Sequence, residues 1–292
     1  MGTNVTTKLT KLNLMDRFLF DETMEDLEAY QATISILLEN EIELLEKPET
    51  EKELRISPQL REIRLDVISM DQDKKLYYTE MQGKDTGNLK KRSRYYQAQL
   101  DVSLLEPGTK DFNLLNDCCL ILIAPFDIFG KGLYRYTFEG ACRECPDLKI
   151  NDGAMRVFIN TKGKNAQDFS QEFLDFMDYL SKTTDAIANK TSSEKIKKIH
   201  QRVNLIRMSE KMGVKFMQRW EEIEYAKDEG GERKVIQMVC KKLKKGKTPE
   251  IIAEELEENP EEIQRICEVA EGFAPEYDGD EIHYALYGES VF

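Results

Sequence analysis

Strand-like segments are confined to residues 64 to 161 of this 292-residue chain, and helical spacing brackets them on both sides. The segments are "RLDVISM" (64–70), "KLYYTEMQ" (75–82), the apolar run "CCLILIAPF" (118–126), "LYRYTFE" (133–139) and "MRVFINT" (155–161). Before them, Leu27, Tyr30, Ile34, Leu37, Leu38, Leu44 and Leu45 recur mostly at spacings of three and four, which predicts an amphipathic helix over 24–45 that stops near Pro48. Between them, Leu89, Tyr96, Leu100 and Leu104 predict a helix over 88–105, with Asn88 as its N-cap and Pro107 and Gly108 as its stop. After them, "FSQEFLDFMDYL" (169–180) is helical again. Strands interleaved with helices in this order predict an α/β domain over residues 1–185.

From about Ser192 the strand signal disappears. Ile196, Ile199, Val203, Ile206, Met217, Trp220 and Ile223 predict long helices, with breaks at Gly213 and at Gly230 and Gly231. "TPEIIAEELEE" and "NPEEIQRICEVAE" each place a capping residue before a proline at the first helical position, which predicts an acidic helical pair over 248–271. Residues 186–292 therefore read as an α-helical C-terminal region. The pair resembles a helix-turn-helix. Glu261, Glu262 and Glu268 are the wrong charge for a helix that reads DNA, so packing or a protein contact is the expected role.

Charge divides the chain the same way. Of a net charge of −13, residues 250–281 carry −12 from thirteen Asp or Glu and one Arg. Outside that segment, "KKRSR" (90–94) and "RKVIQMVCKKLKKGK" (233–247) are concentrated basic stretches able to follow a phosphate backbone. The acidic segment is a candidate contact for a protein partner or for the chain's own basic helix, where it would act as an autoinhibitor.

Other readings are excluded or set aside. No run approaches the roughly 18 apolar residues of a membrane span, and no secretory signal is recognisable, so a cytoplasmic protein without a membrane partner is expected. "MGTNVT" fits the myristoylation pattern of Gly2 and Thr6, a short match that arises by chance. The six cysteines are expected to be reduced, with Cys118 and Cys119 as buried packing residues. Cys142 and Cys145 form a lone C-x-x-C without the second pair of a structural zinc site.

The first two strand candidates each hold a carboxylate and are separated by the polar "DQDK". Tyr78, Glu80 and Gln82 share one strand face, and Asp66 shares a face with Arg64. A hairpin with a three-residue loop centred on Asp73 sets Asp66 directly opposite Glu80, with Cβ atoms roughly 5 Å apart. A two-residue loop would put them on opposite faces, and both geometries are open at this point. Two carboxylates that close repel when ionised, and a divalent cation removes the cost. Mg²⁺ takes one or two protein carboxylates and keeps other positions for water or phosphate, so the pair beside a basic helix suits metal-assisted phosphodiester hydrolysis. A solvated acidic strand face is the competing reading.

Asp66 on one strand, Glu80-x-Gln82 on the next and a basic helix after it resemble the PD-(D/E)XK nuclease superfamily. "REIRLDVISMDQDKKLYYTEMQ", "LKKRSRYYQAQLDVSLL", "LILIAPFDIFGKGLYRYTFE" and "NDGAMRVFINTKG" resemble, more closely, the bacterial PD-(D/E)XK family transposases, the recombination-promoting nucleases, from about Leu12 to Tyr179. The resemblance implies a restriction-endonuclease-like core, a central mixed sheet flanked by helices. It implies Mg²⁺-dependent DNA endonuclease activity, with Mn²⁺ as a substitute, linked to recombination or mobile elements. Asp66 and Glu80 are then the metal ligands, with the Met81 carbonyl as a third. Gln82 replaces the superfamily's lysine; an amide can orient the attacking water but carries no positive charge. Lys84 is a substitute cation if its strand continues, and Leu65 stands where the superfamily has proline. Arg64, Lys90, Arg92, Arg94 and Gln97 are candidate contacts to the DNA backbone or scissile phosphate, against an equal reading as solvated surface. A homo-oligomer is compatible with this reading. The alternative is a catalytically inactive protein of the same fold that binds nucleic acid or a protein partner.

Overall fold

The computed structural model describes residues 9–54, 63–105 and 108–288; Gly2, Thr6 and Pro107 lie outside them. The chain forms two compact units, 1–213 and 214–292. Among the described residues, no helix is long and apolar enough to cross a membrane.

In the first unit, helices α1 (Arg17–Met24) and α2 (Leu27–Leu38) precede strands β1 (Glu49–Leu54), β2 (Ile63–Met70) and β3 (Leu76–Met81). Helix α3 (Leu89–Leu104) leads to β4 (Cys118–Ala124), β5 (Arg135–Phe138) and β6 (Ala154–Asn160), and helices α4 (Gln171–Ser181), α5 (Asp185–Ala188) and α6 (Glu194–Met208) follow. The strands make one six-stranded mixed sheet in the order β1-β2-β3-β4-β6-β5. β3, β4 and β6 are mutually parallel, while β1 and β2, β2 and β3, and β5 and β6 pair antiparallel.

β4 is buried along its whole length because helices cover both faces of the sheet, which is why its sequence is a continuous apolar run. On one face Tyr77, Cys119, Ile121, Ile123, Val157 and Ile159 join a core with residues of α1, α2, α4 and α6. On the other, Ile68, Tyr78, Leu120, Leu122 and Phe158 pack with Leu89 and Leu100 of α3. This architecture is α/β, a mixed sheet flanked by helices.

Several elements depart from the sequence pattern. The helix expected over 24–45 spans only Leu27–Leu38, because Asp26 caps its start by accepting from the Ala29 N–H and Glu39 closes it in the left-handed conformation. The expected domain boundary at 185 falls inside the first unit, since Ile196, Ile199, Val203 and Ile206 of α6 are part of its core. Asn88 precedes α3 without a side-chain capping bond; its Oδ1 accepts from the Thr86 hydroxyl instead.

Helix α7 (Glu210–Leu243) runs unbroken through Gly213, Gly230 and Gly231, where breaks are expected. Its C-terminal half contributes Ile236, Val239 and Cys240 to the core of the second unit. There it meets α8 (Pro249–Leu256), α9 (Pro260–Ala270) and α10 (Gly279–Tyr287) through Ile252, Ile263, Ile266 and Ile282. The prolines of α8 and α9 stand at the first helical position, as their spacing predicts. All six cysteines are free, and Cys118, Cys119, Cys240 and Cys267 are buried.

Candidate active site

The site begins with a turn. Asp71 Oδ1 accepts from the backbone N–H groups of Asp73 (3.0 Å) and Lys75 (2.9 Å), and Asp71 N–H donates to the Lys75 carbonyl at 3.0 Å. Lys74 takes the left-handed conformation, φ 62°, that lets three residues, 72–74, reverse the chain. The resulting register pairs Met70 with Leu76, Ser69 with Tyr77, Ile68 with Tyr78 and Val67 with Thr79. The next step of that register sets Asp66 against Glu80, the geometry of the three-residue loop. The two-residue alternative is ruled out by the pairing.

Both carboxylates are buried, Asp66 at 1% exposure and Glu80 at 7%. Asp66 Oδ2 accepts from the Met81 N–H at 2.9 Å, and Asp66 Oδ1 pairs with the guanidinium of Arg17 on α1. Glu80 Oε1 accepts from Arg92 of α3 at 2.9 Å, and the Tyr78 hydroxyl donates to Glu80 Oε2. Burial, and then the charge of Asp66, push the Glu80 carboxyl up to about 7, against the opposing pull of Tyr78, Arg92 and Arg17. Tyr78 is held well above its ordinary value by burial and by the two carboxylates. Tyr96, one turn beyond Arg92, is raised by burial and by Glu80.

Arg17 and Asp21 were not indicated by the strand pattern. One helical turn apart on α1, they approach to 3.6 Å, Nε to Oδ2. Burial lowers the Arg17 pKa, but Asp66, Asp21, Glu80 and Glu51 together hold it above its usual value. The sequence signal was slight: Arg17 and Asp21 are the charged pair of the otherwise apolar "RFLFD".

Gln82 follows the end of β3. Its backbone N–H donates to the Ile123 carbonyl at 2.9 Å, its Nε2 donates to the Lys84 carbonyl at 2.6 Å, and its Oε1 accepts from Arg92. Arg92 thus bridges Glu80 and Gln82. β3 ends at Met81, so the shared strand face invoked for Lys84 does not exist. Lys84 is exposed in the following loop. Arg64 pairs with Glu51 at 2.7 Å instead of joining Asp66. Lys90 lies over the Phe129 ring, 4.7 Å from its centroid, and Arg94 is exposed. Gln97 is buried, with neither amide atom hydrogen-bonded, and so does not lie on the solvent face of α3 where a backbone contact is expected.

No family model, curated protein or solved structure matches the chain.

Among the described residues, no group of three or more His, Cys, Asp or Glu is gathered as a metal-binding set. Mg²⁺ does not require one, because it binds through one or two carboxylates and completes its shell with other oxygens. Asp66 and Glu80 could supply those two, and the raised Glu80 pKa marks negative charge that a divalent cation would offset. Arg17 now faces Asp66, but its side chain is 44% exposed on a flexible stem and can swing toward solvent. The donor set fits Mg²⁺.

Proposed function

We propose that this protein is a metal-dependent DNA endonuclease of the PD-(D/E)XK type, its six-stranded sheet the restriction-endonuclease-like core. The observation that carries the reading is the hairpin register, which opposes two buried carboxylates, Asp66 and Glu80, beside a basic helix. The resemblance to recombination-promoting nucleases favours a cytoplasmic role with recombining or mobile DNA. Held by Asp66, Glu80 and the Met81 carbonyl, Mg²⁺ or Mn²⁺ would activate water and offset charge on the scissile phosphate.

The chain's own residues do the positioning. The Met81 N–H fixes the Asp66 carboxylate, and the Tyr78 hydroxyl fixes that of Glu80. Gln82 cannot act as a base, but its amide, held at both ends by Lys84 and Arg92, is set to orient water. Arg92 brings to Gln82 the positive charge that a lysine would carry there.

Purified protein with Mg²⁺ should nick DNA, and Asp66→Ala or Glu80→Ala should abolish nicking; full cleavage by both variants would sink the assignment. One observation favours a second reading, a non-cutting protein that binds nucleic acid or a protein partner: both carboxylates already face an arginine. Calorimetry separates the two. Absence of Mg²⁺ and Mn²⁺ binding, with or without DNA, selects the second.

A further inference from the structure

We infer that Lys131, Lys162 and Lys164 form a ledge that binds the DNA backbone independently of base sequence, extending the phosphate path away from the carboxylate pair. The inference rests on the nuclease reading and adds a second contact surface to it.

The placement follows from topology. Because β3, β4 and β6 are adjacent and parallel, the loops after them emerge at one edge of the sheet, the end that carries Glu80 and Gln82. The strand ends are stitched together there: Gln82 N–H donates to the Ile123 carbonyl at 2.9 Å, and Thr161 N–H to that of Ala124 at 3.0 Å. Adjacent strands lie about 4.8 Å apart, so β6 ends about 10 Å from β3, roughly three nucleotide steps along a duplex axis.

Both loops are rigid presentations of lysine. In the loop after β4, Lys131 stands between Gly130 (φ 70°) and Gly132 (φ 73°), each in the left-handed region. Asp127 clamps this turn by accepting from the N–H groups of Phe129, Gly130 and Gly132 and from the Tyr136 hydroxyl. The loop after β6 is tied to it: Lys164 N–H donates to the Gly132 carbonyl at 2.7 Å, and Asn165 Oδ1 accepts from the Tyr134 N–H at 2.8 Å. Lys90 over Phe129 joins the same loop to the basic start of α3. The surface is therefore continuous from α3 to Lys164.

Its charge is uncompensated. Lys131, Lys162 and Lys164 are exposed, and none has an ion-pair partner among the described residues. Some lysines elsewhere on the unit do have partners, as Lys149 with Glu139, Lys195 with Glu41 and Lys198 with Glu28. The one carboxylate in the β4 loop, Asp127, is occupied by backbone N–H groups. Lysine is a point charge without the fork that reads base edges. The nearby amide of Asn165 is already engaged by Tyr134 and Asp168. Such a surface distinguishes phosphate from solvent but not one base from another.

The test uses the full chain carrying Asp66→Asn, which removes cutting, and a short labelled duplex titrated over a salt series. On that background the triple variant Lys131→Ala, Lys162→Ala, Lys164→Ala should bind more weakly. The slope of log affinity against log salt should fall by roughly 0.9 for each lysine, equally on unrelated duplex sequences. The Lys→Arg triple should restore both, which excludes a folding defect as the cause. If the parent binds and the alanine triple keeps its slope, the ledge alone is overturned. If the slope falls on only one sequence, the claim of sequence independence is overturned. If the parent binds no duplex at any salt, the nuclease reading itself fails.

Discussion

Glu80→Gln should make the metal-free protein more stable at alkaline pH, although it removes a buried charge partner of Arg92. In the unfolded chain Glu80 titrates near 4.5, while in the fold burial and Asp66 raise it to about 7. The folded state therefore holds a proton that the unfolded state releases across this window, and stability falls as pH rises from about 4.5 to about 7. Below the window the contribution is fully present; above it, it is lost. At 1.36 kcal/mol per pH unit the loss is on the order of 3 kcal/mol. Glutamine mimics the protonated acid in shape and cannot ionise, so the variant should lack this pH dependence. Urea unfolding followed by circular dichroism in EDTA, at about pH 5 and about pH 8.5, measures the difference. The two proteins should nearly coincide at the lower pH, and the variant should be more stable at the higher one. Saturating Mg²⁺ at the higher pH should recover stability in the wild type only. A variant that is weaker at pH 8.5 than at pH 5, relative to wild type, would refute the reasoning, because Arg17 and Arg92 would then fully compensate the pair.

Arg92→Ala should lower Mg²⁺-dependent nicking on the order of a hundredfold while leaving duplex affinity nearly intact, because it releases Glu80 and Gln82 together; a large loss of affinity with unchanged turnover would contradict this. Ile121→Ala, at the centre of the fully buried β4, should cost about 2–5 kcal/mol in chemical denaturation. Gly163→Ala should cost about 1–3 kcal/mol, since an added Cβ would lie 2.5 Å from the Tyr134 backbone nitrogen; thermal melting of the purified variant checks it.

The parts of the fold that were legible carry their cause locally. β4 is apolar because both its faces are covered, and the hairpin can be read because two strand patterns flank one polar stretch, while its register, open in sequence between a two- and a three-residue loop, is decided by the Asp71 turn. The helix starts at Pro249 and Pro260 depend on a proline ring at the first helical position, joined at Pro260 by the Asn259 side chain that accepts from the Glu261 N–H, whereas Thr248 makes no such capping bond. What was not legible depends on partners far along the chain. Arg17 reaches Asp66 across 49 positions of sequence, and no local spacing predicts that meeting. Helical periodicity ran through Asp26 and Glu39 because apolar spacing alone does not register a cap. Gly213, Gly230 and Gly231 sit within α7 without ending it, since an exposed helical glycine costs only about 1 kcal/mol and a long helix absorbs that. Gln97 looked like surface because α3 is basic, yet its own face of that helix is covered.

β1 escaped detection for a reason with its own consequence. Its sequence, "ETEKEL", has almost no apolar signal, and among the described residues it pairs with β2 alone, as an outer strand of the sheet. An open strand edge is a template for another chain, and charged side chains and local bends are how such edges are kept unattractive. Here Glu49, Glu51, Lys52 and Glu53 supply the charge, and Glu51, at φ 53°, breaks the regular ladder opposite Asp66. The residues that hide this strand from pattern reading thus also discourage edge-to-edge aggregation, and solubility at this edge is gained at the expense of recognisability.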